Sequence, residues 1–317
     1  MLDKLSYYTK RVINNYDDPF WRRQLVQARI LEPIQKRMYS DEERTRVMNE
    51  DWDNLIVLDA CRADLFEDIV DLSMFDSYGR IKSAGSNTTD WSYRNFSGRE
   101  FGDTVYVAGN PVTPKMAGES FHHLYEAWEE AFDEETHAIL PEPLVEVAKE
   151  AHETYPNKRL IVHLVQPHEP FVPTPDLHYY DWYVPPTMQE EEVEPERPAK
   201  AFHALAMDMV TEEEVWDGYR QNLEYVMGPV RDLIDYLPNK TVVTSDHGNM
   251  FGERAFPIPV KIYGHPTNLY CPELIDVPWA TIEGENRRRI TDEGVGSESY
   301  ASDEEREEKL RYLGYID

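Results

Sequence analysis

The sequence predicts an α/β protein in which a central, mostly parallel β-sheet is sandwiched by helices. Short apolar runs rich in β-branched residues alternate along the chain with stretches of helical spacing, a pattern typical of a doubly wound parallel sheet. Hydrophobic residues make up 41% of the chain and aromatic residues 12%, which is enough for a substantial core. The length of 317 residues allows one large domain or two modest ones.

The predicted strands are largely apolar along their length, as expected for strands covered on both faces. They are Asn54–Asp59, Thr104–Ala108, Leu160–Val165, Thr241–Ser245 and Val260–Tyr263. The predicted helices are Ser120–Phe132, Pro143–His152 and Glu212–Leu237. In the last helix apolar residues recur at helical spacing, and we expect Gly228 and Pro229 to interrupt it.

We expect a basic helical arm over residues 1–50 and one α/β domain over residues 51–317. Within that domain, residues 186–199 are predicted to form an exposed acidic loop, and Asp303–Leu313 a final short helix. Residues 1–39 contain eight basic and four acidic residues. This segment is either an arm that packs on the acidic body or a peripheral segment that docks on anionic lipid.

The chain is strongly acidic, with 32 basic and 61 acidic residues and a net charge of −29. This charge argues against non-specific nucleic-acid binding. We interpret it as halophilic adaptation, because concentrated salt screens repulsion between like charges, with a basic partner as the alternative. The two cysteines predict no disulfide framework. No apolar run suits a membrane span or a signal peptide, so we expect a cytoplasmic protein.

Polar side chains follow the predicted strands, at the edge where open parallel sheets bind ligands. Asp59 ends the first strand, and His168 follows the third. Asp246 and His247 follow the fourth strand, and His265 follows the fifth. Each residue alone fits a turn or a surface position. Together they predict a metal site, because carboxylate oxygens and imidazole nitrogens are ligands for divalent cations.

A loop of small residues, 83–91, leads into a predicted helix and offers hydroxyl nucleophiles. Thr88 or Thr89 is the predicted N-cap of this helix. The positive end of the helix dipole favours an anion there, and a neighbouring cation would lower the pKa of the hydroxyl. Ser86, Thr88 and Thr89 are the candidate nucleophiles, and Thr88 best fits the cap position. A plain helix cap is the alternative.

Seven segments of the sequence together carry a resemblance to a known family. They are VLDACRAD with Asp59 and Arg62, the loop GSNTTDW, HLVQPHEPF with His168, YRQNLEYV with Tyr219 and Asn222, TSDHGNMFGE with Asp246 and His247, YGHPTNLYCPELIDVPW with His265, and the tail EEKLRYLGYID. In this order they resemble the alkaline phosphatase/sulfatase superfamily, most closely its sulfatase-like branch, in a form that we expect to be haloarchaeal. The resemblance implies an alkaline-phosphatase-like fold.

The resemblance also implies a metal centre. By position, Asp59, Asp246 and His247 would hold one divalent ion together with the loop hydroxyl. His265 would bind a second ion if one exists, or else face the ester. Asp and His ligands suit Zn, Mn, Mg or Ca to different degrees.

The resemblance further implies hydrolysis or transfer at a phosphate or sulfate ester, by in-line attack of a metal-activated Ser or Thr. Carried over by position, Thr88 would be the nucleophile. His168 would contact the ester or bind a second ion, and Arg62 would steady either the anion or the metal carboxylates.

The chain lacks the C-x-P-x-R segment of formylglycine sulfatases, and neither Cys61 nor Cys271 fits that motif. Phosphoryl chemistry is therefore favoured over sulfate-ester cleavage. We predict a metal-dependent hydrolase of phosphate (or sulfate) esters that are small molecules or are linked to a glycan or lipid. One alternative is a transferase that places a phospho-group on a lipid or surface glycan. Another is a non-catalytic protein that has kept only the fold.

Overall fold

The computed structural model describes residues 19–39, 43–178 and 200–296. The strands are β1 (Asn54–Asp59), β2 (Ser77–Lys82), β3 (Phe101–Ala108), β4 (Phe121–Tyr125), β5 (Phe132–Asp133), β6 (Ala138–Ile139), β7 (Arg159–Pro167), β8 (Thr241–Ser245), β9 (Met250–Arg254), β10 (Lys261–Gly264) and β11 (Asp276–Ile282). The α-helices are α1 (Pro19–Val26), α2 (Glu32–Met38), α3 (Ala63–Ile69), α4 (Thr88–Phe96), α5 (Val112–Ala117), α6 (Pro141–Thr154), α7 (Ala201–Ala206), α8 (Glu212–Tyr236) and α9 (Pro272–Ile275). Gln27–Leu31 is π-helical, and 3-10 turns lie at Val47–Asn49, Leu72–Met74, Gly118–Ser120 and Pro175–Leu177. The predicted acidic loop and final helix lie outside the described residues.

A seven-stranded sheet forms the centre of the fold, in the order β2-β11-β8-β1-β7-β3-β4. Strands β8, β1, β7, β3 and β4 are parallel to one another. Strand β11 runs antiparallel to both of its neighbours, β8 and β2. The predicted fold class, a mostly parallel sheet between helices, is confirmed.

Both faces of the sheet are covered, which explains why its strands are continuously apolar. In β1, Ile56 and Leu58 face a core formed with α3, α6 and α8. Leu55 and Val57 face the opposite core, which contains side chains of α4 and α5. All four side chains are fully buried, and each contributes about 1.5–3 kcal/mol through removal from water.

Helix α8 begins at a capping box, in which Thr211 and Glu214 each bond the other's backbone N–H. The helix continues without a break through Pro229, so the predicted interruption was wrong. An internal proline costs a helix about 3 kcal/mol. Buried residues on both sides of it, including Val226 and Val230, outweigh that cost by packing against the sheet.

Two other predictions were wrong because the pairing partner of a strand, rather than its own sequence, decides its place. The segment predicted as helix Ser120–Phe132 contains β4, which pairs parallel to β3 and buries Phe121 and Leu124. The segment Val260–Tyr263 supplies β10, but β10 pairs antiparallel with β9 in a separate two-stranded sheet. The sheet position next to β8 belongs instead to β11, which the sequence analysis did not predict.

The described part of the basic N-terminal segment is helical and packs on the domain. Gln35 of α2 is buried, its Nε2 donates to the Phe256 carbonyl at 2.6 Å, and its Oε1 accepts from the Tyr270 N–H at 2.6 Å. Both cysteines, Cys61 and Cys271, are free and buried, in agreement with the absence of a predicted disulfide. Over the described residues, the helices are too short or too polar to span a bilayer.

Candidate active site

Two carboxylates and an imidazole meet at the carboxyl end of the sheet. Asp59 is the last residue of β1, and Asp246 and His247 directly follow the adjacent parallel strand β8, so the chain brings them to one edge. All three are fully buried, and one ligand atom of each lies within 4.8 Å of those of the other two. His247 Nε2 lies 3.4 Å from Asp59 Oδ1 and 3.4 Å from Asp246 Oδ2. The structure thus brings together three of the predicted metal ligands.

Thr88 joins these residues from the start of α4. Its Oγ1 donates to Asp59 Oδ2 at 3.4 Å and lies 3.2 Å from His247 Nε2. The N-cap is Asn87, whose side chain accepts from the Asp90 N–H, so the prediction of Thr88 or Thr89 as cap was wrong. Asn and Thr both serve as caps, and Thr88 instead takes the first helical position. We call Asp59, Thr88, Asp246 and His247 the strand-edge cluster.

Gly85 explains how the loop before Thr88 reaches the cluster. A Cβ atom at this position would lie 2.2 Å from the backbone nitrogen of Trp91, so only glycine lets the loop fold back on α4. The other predicted hydroxyls point elsewhere: Ser86 Oγ donates to the Pro266 carbonyl at 2.9 Å, and Thr89 is exposed.

His168 and His265 form a histidine pair beside the cluster, with their Nε2 atoms 3.0 Å apart. The ring of His265 also lies 4.6 Å, centre to centre, from the ring of His247. His168 Nδ1 is hydrogen-bonded to the Glu169 carbonyl, which assigns its proton to Nδ1 and leaves Nε2 as the acceptor from His265 Nε2–H. Burial lowers the pKa of His168, and burial with the nearby His247 holds the pKa of His265 well below its usual value.

Arg62 points away from the cluster. Its guanidinium donates to both carboxylate oxygens of Asp64, at 2.9 and 2.6 Å, and to Glu253 at 2.6 Å. It also donates to the Asn249 carbonyl at 3.1 Å. The structure therefore does not bring Arg62 into contact with Thr88 or the metal carboxylates, and its predicted catalytic role stays a prediction.

Two side chains of α8 hold the loops that carry the site. Tyr219 Oη donates to the Ala60 carbonyl and accepts from the Arg62 N–H at 3.0 Å, which fixes the turn after Asp59. Asn222 Nδ2 donates to the His168 carbonyl at 2.9 Å and fixes the loop after β7. Both residues lie in the YRQNLEYV segment, and both support the site by hydrogen bonds to the backbone of its loops.

Sequence reasoning missed His163, which lies within β7 directly below the cluster. Its Nε2 lies 3.7 Å from Asp246 Oδ2 and 4.0 Å from Asp59 Oδ2. Its Nδ1 lies 2.7 Å from Tyr106 Oη, which in turn donates to Thr113. The signal was present in the sequence, because a histidine in the middle of the apolar run LIVHLV must be buried.

The donor set of this site fits a divalent cation. In the described part of the chain, Asp246 Oδ2 and His163 Nε2 are buried and make no hydrogen bond. His163 Nε2 faces the Asp246 carboxylate at 3.7 Å, and His163 Nδ1 is hydrogen-bonded to Tyr106 Oη at 2.7 Å. His247 Nδ1 donates to the Gly248 carbonyl at 2.8 Å, the usual orientation of a metal-binding histidine. Oxygen and nitrogen donors in this mixture suit Zn or Mn best.

In the metal-free protein, a proton on His247 supplies the positive charge that a bound cation would bring to the two carboxylates. Burial opposes the charged form of Asp59, but a hydrogen bond with His247 and the nearby His168 outweigh burial and lower the pKa of Asp59. Burial, followed by the charge of Asp59, raises the pKa of Asp246. Burial also opposes protonation of His247, yet the two carboxylates raise its pKa to about 9.

We expect the metal-free protein to lose stability between pH 6.5 and 9. The pKa of His247 rises from 6.5 to about 9 on folding, so its stabilising proton is fully bound below the lower value and lost through the upper one. The loss is about 3 kcal/mol in the free energy of unfolding. Chemical denaturation across this range checks it. Saturating Zn²⁺ should abolish the loss, since a bound cation replaces the proton, and a metal-free stability that stays level would contradict the assignment.

Comparisons with known proteins show similarity of fold only. No family model matches the chain, and no curated protein matches it. The soluble domain of lipooligosaccharide phosphoethanolamine transferase A from Neisseria meningitidis is 14% identical to this chain. The match covers 72% of this chain and 75% of that domain, with a TM-score of 0.44. The lipoteichoic acid synthase LtaP from Listeria monocytogenes is 14% identical over 78% of this chain and 71% of its own, with a TM-score of 0.44.

An alkaline phosphatase superfamily protein from Vibrio parahaemolyticus is also similar in structure. It is 12% identical to this chain, and the match covers 76% of this chain and 62% of that protein, with a TM-score of 0.39. This is the superfamily that the sequence motifs resemble, whereas the haloarchaeal form stays a prediction. Identities and scores this low transfer no activity, so we base the functional proposal on the geometry of the site.

Proposed function

We propose that this protein is a metal-dependent enzyme that cleaves or transfers phosphate esters through a phosphothreonine at Thr88. One observation carries the proposal. The Thr88 hydroxyl lies within hydrogen-bonding distance of both Asp59 and His247, inside a buried group of donor atoms suited to a cation. A hydroxyl that served only as a structural element would not need a buried carboxylate and an imidazole beside it.

Asp59, Asp246 and His247 would hold the divalent ion. A cation bound there supplies Lewis-acid chemistry, which lowers the pKa of a neighbouring hydroxyl and offsets negative charge on the phosphoryl oxygens. The ring of His247 is held for this by the Gly248 carbonyl, and Asp246 is held by the Ala60 N–H at 3.0 Å. The ligands are therefore oriented before an ion binds.

Thr88 would attack phosphorus. Its proton is directed at Asp59 Oδ2, which leaves a lone pair of Oγ1 for the new bond. The Oγ1–P bond forms as the bond from phosphorus to the leaving oxygen breaks, with the two oxygens in line. Because Thr88 is the first residue of α4, the helix dipole favours the negative charge that develops there.

The histidine pair serves the leaving oxygen. His265 carries its proton on Nε2 and in this state donates it to His168. An ester oxygen that replaces His168 as acceptor would take this hydrogen bond, which offsets the negative charge that develops on the oxygen as its bond to phosphorus breaks. The released oxygen would then take its proton from water. The phosphothreonine then passes its phospho-group to water or to an alcohol, and the natural ester is a small molecule or one linked to a glycan or lipid.

The test is turnover of a chromogenic phosphodiester and of a matched chromogenic sulfate ester with Mn²⁺ or Zn²⁺. We expect phosphodiester turnover that a chelator abolishes and the metal restores, with little sulfate cleavage. Product analysis with an added acceptor alcohol separates hydrolysis, which gives free phosphate monoester, from transfer, which gives a new diester. A purified protein that takes up no stoichiometric divalent ion would contradict the proposal and favour a non-catalytic role.

A further inference from the structure

A groove of about 480 Å³ opens beside the histidine pair, between α1 and α7. His265 lines it, as does Tyr263 of β10. Arg23 and Gln27, from the basic N-terminal segment, also line it. Because the His265 ring lies 4.6 Å from the ring of His247, the groove lies beside the strand-edge cluster and is also lined by a segment that the reaction proposed above does not use.

The groove is basic in a strongly acidic protein. Arg23, Lys200 and His203 all line it, whereas the chain as a whole carries a net charge of −29. Among the described lining residues, Glu169 is the one acid. Glu169 is only 5% exposed, and its carboxylate accepts from the Ala201 N–H at 2.7 Å at the start of α7. Burial raises the pKa of Glu169, and the nearby Lys200 and this N–H partly offset that effect.

Arg23 is fixed at the wall of the groove. Its Nη2 donates to the Ala206 carbonyl of α7 at 3.0 Å, and its guanidinium lies 4.6 Å from the centre of the Tyr263 ring. These contacts tie α1 to the domain and hold the cation near the groove. An arginine held in this way is well suited to bind a carboxylate or phosphate.

We propose that this groove binds the leaving part of the ester, and that this part carries an anionic group, a carboxylate or a phosphate. The inference rests on the proposed function, in which His265 of the histidine pair donates a hydrogen bond to the leaving oxygen. Since His265 belongs both to that pair and to the groove, the leaving part extends from the histidine pair into the groove. The basic segment, which otherwise stands out from an acidic chain, then recognises substrate.

Calorimetric titration of the Zn²⁺-loaded full chain tests the groove without relying on turnover. The probes are propyl-, butyl- and pentylphosphonate, and the same compounds with a terminal carboxylate. We expect the carboxylate to tighten binding about tenfold or more at the best chain length. Arg23→Gln should remove this gain, while Arg22→Gln, an exposed arginine on the same helix that does not line the groove, should keep it. Added salt should reduce the gain.

The outcomes separate the two proposals. A carboxylate gain that is lost in Arg23→Gln but not in Arg22→Gln supports the groove. Phosphonates that bind equally with and without a carboxylate, or a gain that survives Arg23→Gln, would overturn the groove and leave the reaction centre intact. If no phosphonate binds at all, the proposed function itself is overturned, and the role of the groove fails with it.

Discussion

Asp246→Asn should make the metal-free protein more stable and at the same time inactive. At neutral pH the metal-free cluster sets two carboxylates, Asp59 and Asp246, against the imidazolium of His247. Asparagine removes one of the buried negative charges and keeps an oxygen for the N–H groups of Ala60 and His247. Its amide group would also face His163 Nε2, which lies 3.7 Å from the present Oδ2. We expect a gain of about 1–3 kcal/mol in the free energy of unfolding.

The same substitution should remove metal binding and turnover. Loss of a group that only orients a metal ligand costs about 10–100-fold in affinity, so loss of a ligand itself should exceed that range. We expect phosphodiester turnover to fall at least about 10³-fold. The natural protein should gain about 2.7 kcal/mol of stability from a cation at one hundred times its Kd, and Asp246→Asn should gain almost none.

Asp235→Asn is the matched control for this experiment, because Asp235 is an exposed carboxylate on α8. It should leave stability, metal uptake and turnover unchanged. Thermal unfolding with and without Zn²⁺, together with metal analysis, gives the readout. An Asp246→Asn protein that is less stable without metal, or that still binds metal as tightly as the natural chain, would show that Asp246 is a structural group.

The convergence of Asp59, Asp246 and His247 could be predicted because it follows from local rules. Each residue ends an apolar run, and adjacent parallel strands place their carboxyl ends together. The position of each strand within the sheet could not be predicted from such local rules. Lys261–Gly264 and Asp276–Ile282 are both short and half-apolar, and only their partners decide which of them joins the central sheet.

The site details that were missed depend on side-chain contacts. His163 lies within a strand, and nothing in the run LIVHLV tells which of its neighbours the ring will face. The helix cap was assigned one residue late because Asn87 and Thr88 are both good caps, and the choice rests on the loop that Gly85 allows to fold back. Arg62 was expected to steady either the anion or the metal carboxylates, which stays a prediction, and its pairing with Asp64 and Glu253 could not be read from the sequence.

Thr88→Val should abolish turnover while leaving metal binding nearly intact. Valine has nearly the shape of threonine, so the first turn of α4 should keep its packing, but it loses the Oγ1 atom that lies next to Asp59 and His247. We expect turnover to fall at least about 10³-fold, since no nucleophile remains in the cluster. Metal affinity should change less than about tenfold, because the two carboxylates and the imidazole still hold the ion. Thr88→Ser should retain most of the activity, because it keeps the hydroxyl.

Thr89→Val and Ser86→Ala are the controls that the loop itself provides. Thr89 is exposed, and Ser86 donates to the Pro266 carbonyl, so neither hydroxyl is directed at the strand-edge cluster. Both variants should turn over substrate at close to the natural rate. Acid quenching during turnover, followed by peptide mass analysis, should find the phospho-group on Thr88. A phospho-group on Ser86 or Thr89, or full activity of Thr88→Val, would move the nucleophile elsewhere. The metal site could still stand in that case, because its ligands come from the ends of β1 and β8 rather than from this loop.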